Sequence, residues 1–222
     1  MTGSLPSDGL AAELTVHLGM RKLVLASASP RRHELLGQTG LPFEIEPADA
    51  DETIDLALDA GRVAEDLALR KARIVAERRS DTASIAVLGS DTVVVLGADG
   101  APERRFLEKA ADEGEAHEML SALSGTRHRV ITGVAAVLGG PSPVEVVDHE
   151  TTWVTMRTIT DAEREAYVAS GEWRGKAGAY AIQESADRFV ERLEGGGFDN
   201  VVGLPVARTL DLLGRLLRQR PK

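Results

Sequence analysis

From Leu23 onward, short aliphatic runs alternate with stretches of helical period, and this alternation constrains the chain more than any other feature. Runs such as LVLA and IAVL carry no polar face, so they suit strands covered on both sides, and the helical stretches between them supply the cover. The pattern predicts an α/β class with helices packed on a largely buried sheet.

The first strand is expected at residues 23–26. Ser29 is placed to cap the helix that follows, Pro30 suits its first position, and Gly40 ends it. A second helix is expected over residues 59–79, with Val63, Leu67, Ile74 and Val75 on one face. Ile85–Leu96 is apolar except around Gly89 to Thr92, and Asp99-Gly100 is a hairpin signal leading to Phe106 and Leu107. Asp112 with Glu115, and Thr160 with Glu163, are capping-box patterns. Long strands are expected at residues 129–138 and Val144–Met156, further strands near 179–183 and 188–193, and a last helix over 206–217. Residues 1–19 read as a flexible extension in which Leu10, Leu14 and Leu18 allow one short amphipathic turn. Residues 20–222 read as a single domain.

Composition removes several classes of function. Lys and Arg total 26 against 35 Asp and Glu, a formal charge of 26 − 35 = −9. That balance opposes broad adhesion to nucleic acid or anionic membrane, so a polyanionic ligand needs a local cationic site. The chain has no cysteine, which excludes disulfides, thiolate metal sites and cysteine nucleophiles. No apolar run approaches the roughly 18 residues of a membrane span, and the first residues lack the basic and apolar regions of a secretory signal. Walker A, G-x-G-x-x-G, H-E-x-x-H and G-x-S-x-G patterns are all absent, and His17, His33, His117, His128 and His149 are scattered without ligand spacing.

The segment LVLASASPRRHELL places Arg31 and Arg32 in the first turn of a helix. A helix N-terminus already carries partial positive charge, so two guanidinium groups there are unfavourable unless an anion is received. Phosphate matches the guanidinium fork, and Ser27 or Ser29 can donate to it; a solvated Arg pair answered by Glu34 is the other reading, and charge placement alone leaves both open. Asp91 is a carboxylate inside an apolar strand run, which favours a site at a strand end or at a bulge permitted by Gly89 and Ser90; a plain turn between two shorter strands is the alternative. Lys71 falls on the apolar stripe of its helix, and Lys109 lies in a loop before a helix cap. On that stripe Lys71 points inward or snorkels, and either lysine taken singly is more often a solvated residue than a ligand-binding one. The acidic loop with Asp49, Asp51 and Glu52 reads either as a solvated connector or as a source of hard oxygen ligands for Mg²⁺.

Taken in order, LASASPRRHELL, SDTVV, LEK before a capped helix, LSGTRHRVITGV, GKAGAYAIQ and NVVGLP resemble the Maf family of nucleotide pyrophosphatases, from about Arg21 to the C-terminal helix. The resemblance implies a mixed twisted sheet flanked by helices with a central cleft, similar to inosine triphosphate pyrophosphatases. It also implies a cytoplasmic homodimer that hydrolyses nucleoside triphosphates to monophosphate and pyrophosphate with a divalent metal, Mg²⁺ or Mn²⁺. On matching positions, Asp91 is the family's proton acceptor and Glu52 its second essential acid, the two holding the metal. Ser27, Arg32, Lys71 and Lys109 match the substrate-binding residues.

Arg31, Thr92 and Gln183 match the positions that separate subfamilies, and their identities are those of the dTTP and UTP pyrophosphatases. The subfamily acting on methylated GTP resembles SPWR, SDQ and Glu at the last position, which differs from this chain at all three. Ala110 stands where the family has Pro after LEK, and ADGAPERR lengthens the hairpin before it. Alternative expectations are a paralogue preferring methylated GTP or CTP, and a non-catalytic nucleotide-binding regulator of cell division. An RNA-binding module is disfavoured by charge and by the 4% aromatic content.

Overall fold

The computed structural model describes residues 8–79, 81, 85–140 and 142–219, with the side chains of 8–12 outside that description. β1 (Lys22–Leu25) and β3 (Ile85–Leu96) run parallel, Leu23 opposite Ala86 and Leu25 opposite Leu88. Because strand side chains alternate, the two faces feed two different cores. Leu23, Leu25, Ala86 and Leu88 pack with Leu36 of α2 (Pro30–Gly37) and with Leu210, Leu213 and Leu216 of α7 (Val206–Arg218). Val24, Ala26, Ile85 and Val87 pack with Ala68, Ala72 and Val75 of α3 (Ala60–Arg78). Both faces are therefore covered, as the uninterrupted aliphatic runs require.

Among the described residues the sheet has seven strands in the order β2-β1-β3-β5-β6-β7, with β4 on β3. Here β2 is Glu44–Ile45, β4 Arg105–Leu107, β5 Arg127–Leu138, β6 Val144–Met156 and β7 Val190–Glu194. β2 is parallel to β1, while β4 is antiparallel to β3 and β7 to β6. The expected caps form, with Asp59 accepting from the Arg62 amide at 2.9 Å and Thr160 making a full capping box with Glu163 on α5 (Asp161–Ser170). On α4 (Glu113–Leu123) Asp112 caps Glu115, whose carboxylate turns back to the Ala111 amide.

The chain divides into two compact units where one domain was expected. The first comprises Met1–Asp91, Thr132–Glu150 and Gly203–Lys222, and the second Thr92–Ile131 and Thr151–Val202, so β3 leaves the first unit immediately after Asp91. The core of the second unit joins Met119, Leu120 and Leu123 of α4 to Tyr167 and Val168 of α5, with Trp173, Tyr180 and Phe189 filling it.

Three expectations differ from the structure. The segment read as a flexible extension carries α1 (Asp8–Leu18), where Leu14 and Leu18 are buried in the same core as α7. Residues 1–7 and the Leu10 side chain lie outside the described residues. The apolar stretch 179–183 forms no strand. Ala179, at φ 57, is the single non-glycine with positive φ among the described residues, and the Ala181 amide donates to the Tyr167 hydroxyl. This run is apolar because it fills a core, and its backbone is satisfied by turns and a side chain in place of a ladder. Finally, Ser29 occupies the N-cap of α2 without a side-chain capping bond.

Candidate active site

The strand β1 leads into Ser27, which is 4% exposed and organises the turn before α2. Its hydroxyl accepts from the Ser29 amide at 3.2 Å, and its carbonyl accepts from His33 Nε2 at 2.7 Å. Arg32, in the first turn of α2, donates Nε to the Gly203 carbonyl at 2.8 Å. The same carbonyl accepts the Ser90 hydroxyl at 3.0 Å, and Ser90 is fully buried. Gly203 sits at φ +124, a conformation essentially restricted to glycine, which turns this carbonyl toward both donors. Three separated motifs, SPRR, SDT and VVGLP, thus meet at one oxygen atom.

The next residue after Ser90 is Asp91, in the stretch of β3 between its pairings with β1, at residues 85–88, and with β4, at 94–96. Asp91 occupies the stretch of β3 that neither β1 nor β4 pairs. It is 9% exposed and accepts from Lys71 Nζ, which also donates to Glu52 at 2.7 Å. Lys71 is itself 8% exposed. A buried ammonium needs such partners, and its place on the apolar stripe of α3 reflects this inward ion pair.

Glu52 reaches Lys71 from the loop between β2 and α3. Its neighbour Asp51 spends its carboxylate locally, accepting the Thr53 amide at 2.9 Å and hydroxyl at 2.6 Å, bonds that hold it below the usual carboxylate range. Arg32 completes the charge balance. Loss of solvent lowers its pKa, Asp91 opposes that shift, Arg31 adds to it, and Glu52 opposes it. Two carboxylates facing Lys71 and Arg32 form a nearly neutral set.

Two carboxylates already bring oxygen atoms to one cation, the Lys71 ammonium. Hard divalent ions such as Mg²⁺ and Mn²⁺ take the same donors, so Asp91 and Glu52 fit the metal expected from sequence. A second group, Glu65, Asp148 and His149, also brings possible ligand atoms within 4.8 Å of one another. There His149 Nδ1 pairs with Glu65 at 2.7 Å, Arg62 with Glu65 at 2.8 Å, and Arg208 and Arg215 with Asp148 at 2.9 Å each. Three arginines saturate those carboxylates, so the group reads as an ion-pair network.

Ser27, Arg31, Arg32, Glu52, Lys71 and Asp91 all belong to the first unit, whereas Thr92, Lys109 and Gln183 belong to the second. Thr92 is half-buried on β3. Lys109 is exposed and its backbone bridges Ala177. Gln183 is exposed at the end of the GKAGAYAIQ segment, whose Gly178 amide donates to the Leu107 carbonyl at 3.0 Å. Ser90 and Gly203 lie inside the SDT and VVGLP motifs, and His33 among the scattered histidines, but no local pattern signals that Ser90 donates to the Gly203 carbonyl or that His33 donates to the Ser27 carbonyl.

The family model described as Maf-like protein matches residues 22–216, and so runs through both units. Among curated relatives, the dTTP/UTP pyrophosphatase of Pelotomaculum thermopropionicum is 47% identical over 194 residues, 87% of this chain and 96% of that protein. Those of Caulobacter vibrioides and Moorella thermoacetica are 46% and 48% identical, again over 87% of this chain and over 95% and 94% of their own lengths. Among solved structures, a HAM1 protein from Coxiella burnetii aligns with a TM-score of 0.46 at 18% identity, covering 89% of this chain and 98% of that one.

Proposed function

The chain belongs to the Maf-like family, and from that premise we propose that it is a nucleoside triphosphate pyrophosphatase acting on dTTP and UTP, with Asp91 and Glu52 as its reacting carboxylates. The observation that carries this reading is the convergence of Asp91 and Glu52 on Lys71 beside Arg32. Water attacks the α-phosphorus; a new oxygen–phosphorus bond forms, the bond from that phosphorus to the oxygen bridging toward the β-phosphorus breaks, and pyrophosphate leaves with the bridging oxygen. Asp91 takes the water proton, the role the family pattern assigns it. Arg32 and Lys71 neutralise charge on the phosphates, and holding Arg32 through Gly203 fixes its direction before substrate arrives. Asp91 and Glu52 would hold Mg²⁺ or Mn²⁺, which when bound polarises phosphate oxygens.

The same family pattern supports Lys109 as a further phosphate-binding cation, Ser27 as a donor, and Arg31, Thr92 and Gln183 as the residues that select the base. Homodimeric assembly and a cytoplasmic location are proposed on that resemblance alone. Among the described residues, no helix is long and apolar enough to cross a membrane.

The test is pyrophosphate and monophosphate release from dTTP, UTP, CTP and methylated GTP, with Mg²⁺ or Mn²⁺, for the wild type and Gln183→Glu. The proposal expects dTTP and UTP to lead for the wild type and to lose relative kcat/KM in the variant, because the Gln183 amide donor is replaced by a charge. A wild-type preference for methylated GTP would overturn the substrate assignment, and absence of pyrophosphate release from every nucleotide would overturn the activity.

A further inference from the structure

We infer that Arg70 is a positioning residue for Glu52: it fixes the loop that carries this carboxylate by bonding the backbone on both sides of it. This inference rests on the role proposed above for Glu52.

Glu52 lies in residues 46–59, which contain no helix or strand, and its side chain is 45% exposed. Its position therefore depends on polar contacts more than on burial, and fixing a glutamate side chain costs about 1.5–2 kcal/mol of rotamer entropy. Arg70 adds a constraint on the backbone beside the Lys71 ion pair. One of its terminal nitrogens, Nη1, donates to the Asp51 carbonyl at 3.1 Å and to the Thr53 carbonyl at 2.8 Å. The other, Nη2, donates to the Asp66 carboxylate one turn earlier on α3, which holds the guanidinium plane. The Asp51 side chain tightens the same turn through Thr53.

Arg70 and Lys71 are consecutive on α3, so one turn of helix grips residue 52 twice, Arg70 by the flanking carbonyls and Lys71 by the carboxylate. A planar fork can serve two carbonyls and a carboxylate together, whereas a lysine at this position offers one point of charge. Arg70 is committed to protein oxygens and acts through Glu52, without contacting substrate. Displacing a reacting group by about 1 Å can cost about 100-fold in rate, so loosening this turn should be visible in turnover.

The experiment is a double-mutant cycle with Arg70→Met and Glu52→Gln, combined with amide hydrogen exchange over residues 50–58 in the substrate-free protein. Arg70→Met should accelerate exchange in that segment and lower kcat by about 10- to 100-fold with little change in nucleotide KM. In the Glu52→Gln background the same substitution should cause no further loss, because the group it positions is already gone. Arg70→Lys should recover part of the protection and part of the rate. If the losses multiply in the double variant, or exchange over 50–58 is unchanged, the inference is overturned. If Glu52→Gln alone leaves turnover intact, the role proposed for Glu52 fails, and exchange alone then decides whether Arg70 holds the loop. Should Arg70→Met not fold, Asp66→Asn, which frees the guanidinium plane, takes its place in the same cycle.

Discussion

A Cβ built on Gly89 would lie 2.2 Å from the Ala68 carbonyl oxygen, so β3 and α3 meet backbone to backbone. Gly133 on β5 repeats the contact one turn earlier, 2.0 Å from the Ala64 carbonyl oxygen. With Ala64, Ala68 and Ala72 of α3 close to these glycines, the helix lies near enough for Lys71 to reach Asp91. Gly89→Ala should lift the helix, cost at least about 3 kcal/mol because the clash is with backbone, and depress turnover in whatever protein folds. Urea unfolding together with kcat measured at low temperature checks both effects; wild-type stability would disprove the close contact.

Asp91→Asn keeps the shape of the side chain and removes its charge. Lys71 retains Glu52, so the fold should survive with a melting temperature near that of the wild type. Turnover should fall by roughly 10²- to 10⁴-fold, the usual effect of losing a general base. Lys71→Met should behave differently: it leaves the buried Asp91 charge without its closest cation and should cost about 3–5 kcal/mol as well as activity. Thermal unfolding and steady-state kinetics on the two variants separate the roles.

Acid should destabilise the protein through His128. This ring is wholly buried against Tyr180, with Nε2 at 2.9 Å from the phenol oxygen, and burial pushes its pKa down to about 4 from 6.5. Between those values the unfolded chain binds a proton that the native protein does not, so stability falls as pH falls from 6.5 to about 4, by about 3 kcal/mol in total. Glu163, held near 2 by Arg157 and the Thr160 cap, loses its contribution below its ordinary 4.5, so most of its effect falls below the histidine window. Urea unfolding at pH 7.5, 6 and 5 should give a slope that His128→Gln abolishes.

Deleting residues 1–19 should lower stability. The deletion removes Leu14 and Leu18, which are 2% and 4% exposed, and uncovers Leu210 and Gly214 of α7. Burial of two leucines is worth about 1.5–3 kcal/mol each before the cost of ordering the helix, so the melting temperature should drop by on the order of 5–10 °C. Turnover measured well below that temperature should persist, since none of the residues proposed for the reaction lies in the deleted segment. An unchanged melting temperature would mean that α1 adds nothing to the core.

Much of this protein was legible in its amino-acid order. The alternation of LVLA and IAVL with helical stretches predicted a buried sheet covered by helices. The apolar stripe that contains Lys71 and the lone carboxylate within β3 each marked an anomalous charge. These features are local: strand and helix periodicity, caps and buried charges each depend on residues a few positions apart. What the tertiary structure decided depends on residues far apart in the chain. The Gly203 carbonyl that receives Arg32 and Ser90 is 171 and 113 positions from them, and no spacing rule relates them. Residues 179–183 look like a strand because an apolar run has the same composition whether it fills a core or a ladder, and only the hydrogen-bond partners distinguish the two. α1 looked dispensable for the reverse reason, since two leucines on a short helix are worth little until α7 offers them a face. Local pattern thus determined which segments form elements and which charges are anomalous. Long-range packing and hydrogen bonding decided which of those charges face one another, because their partners exist only in the folded chain.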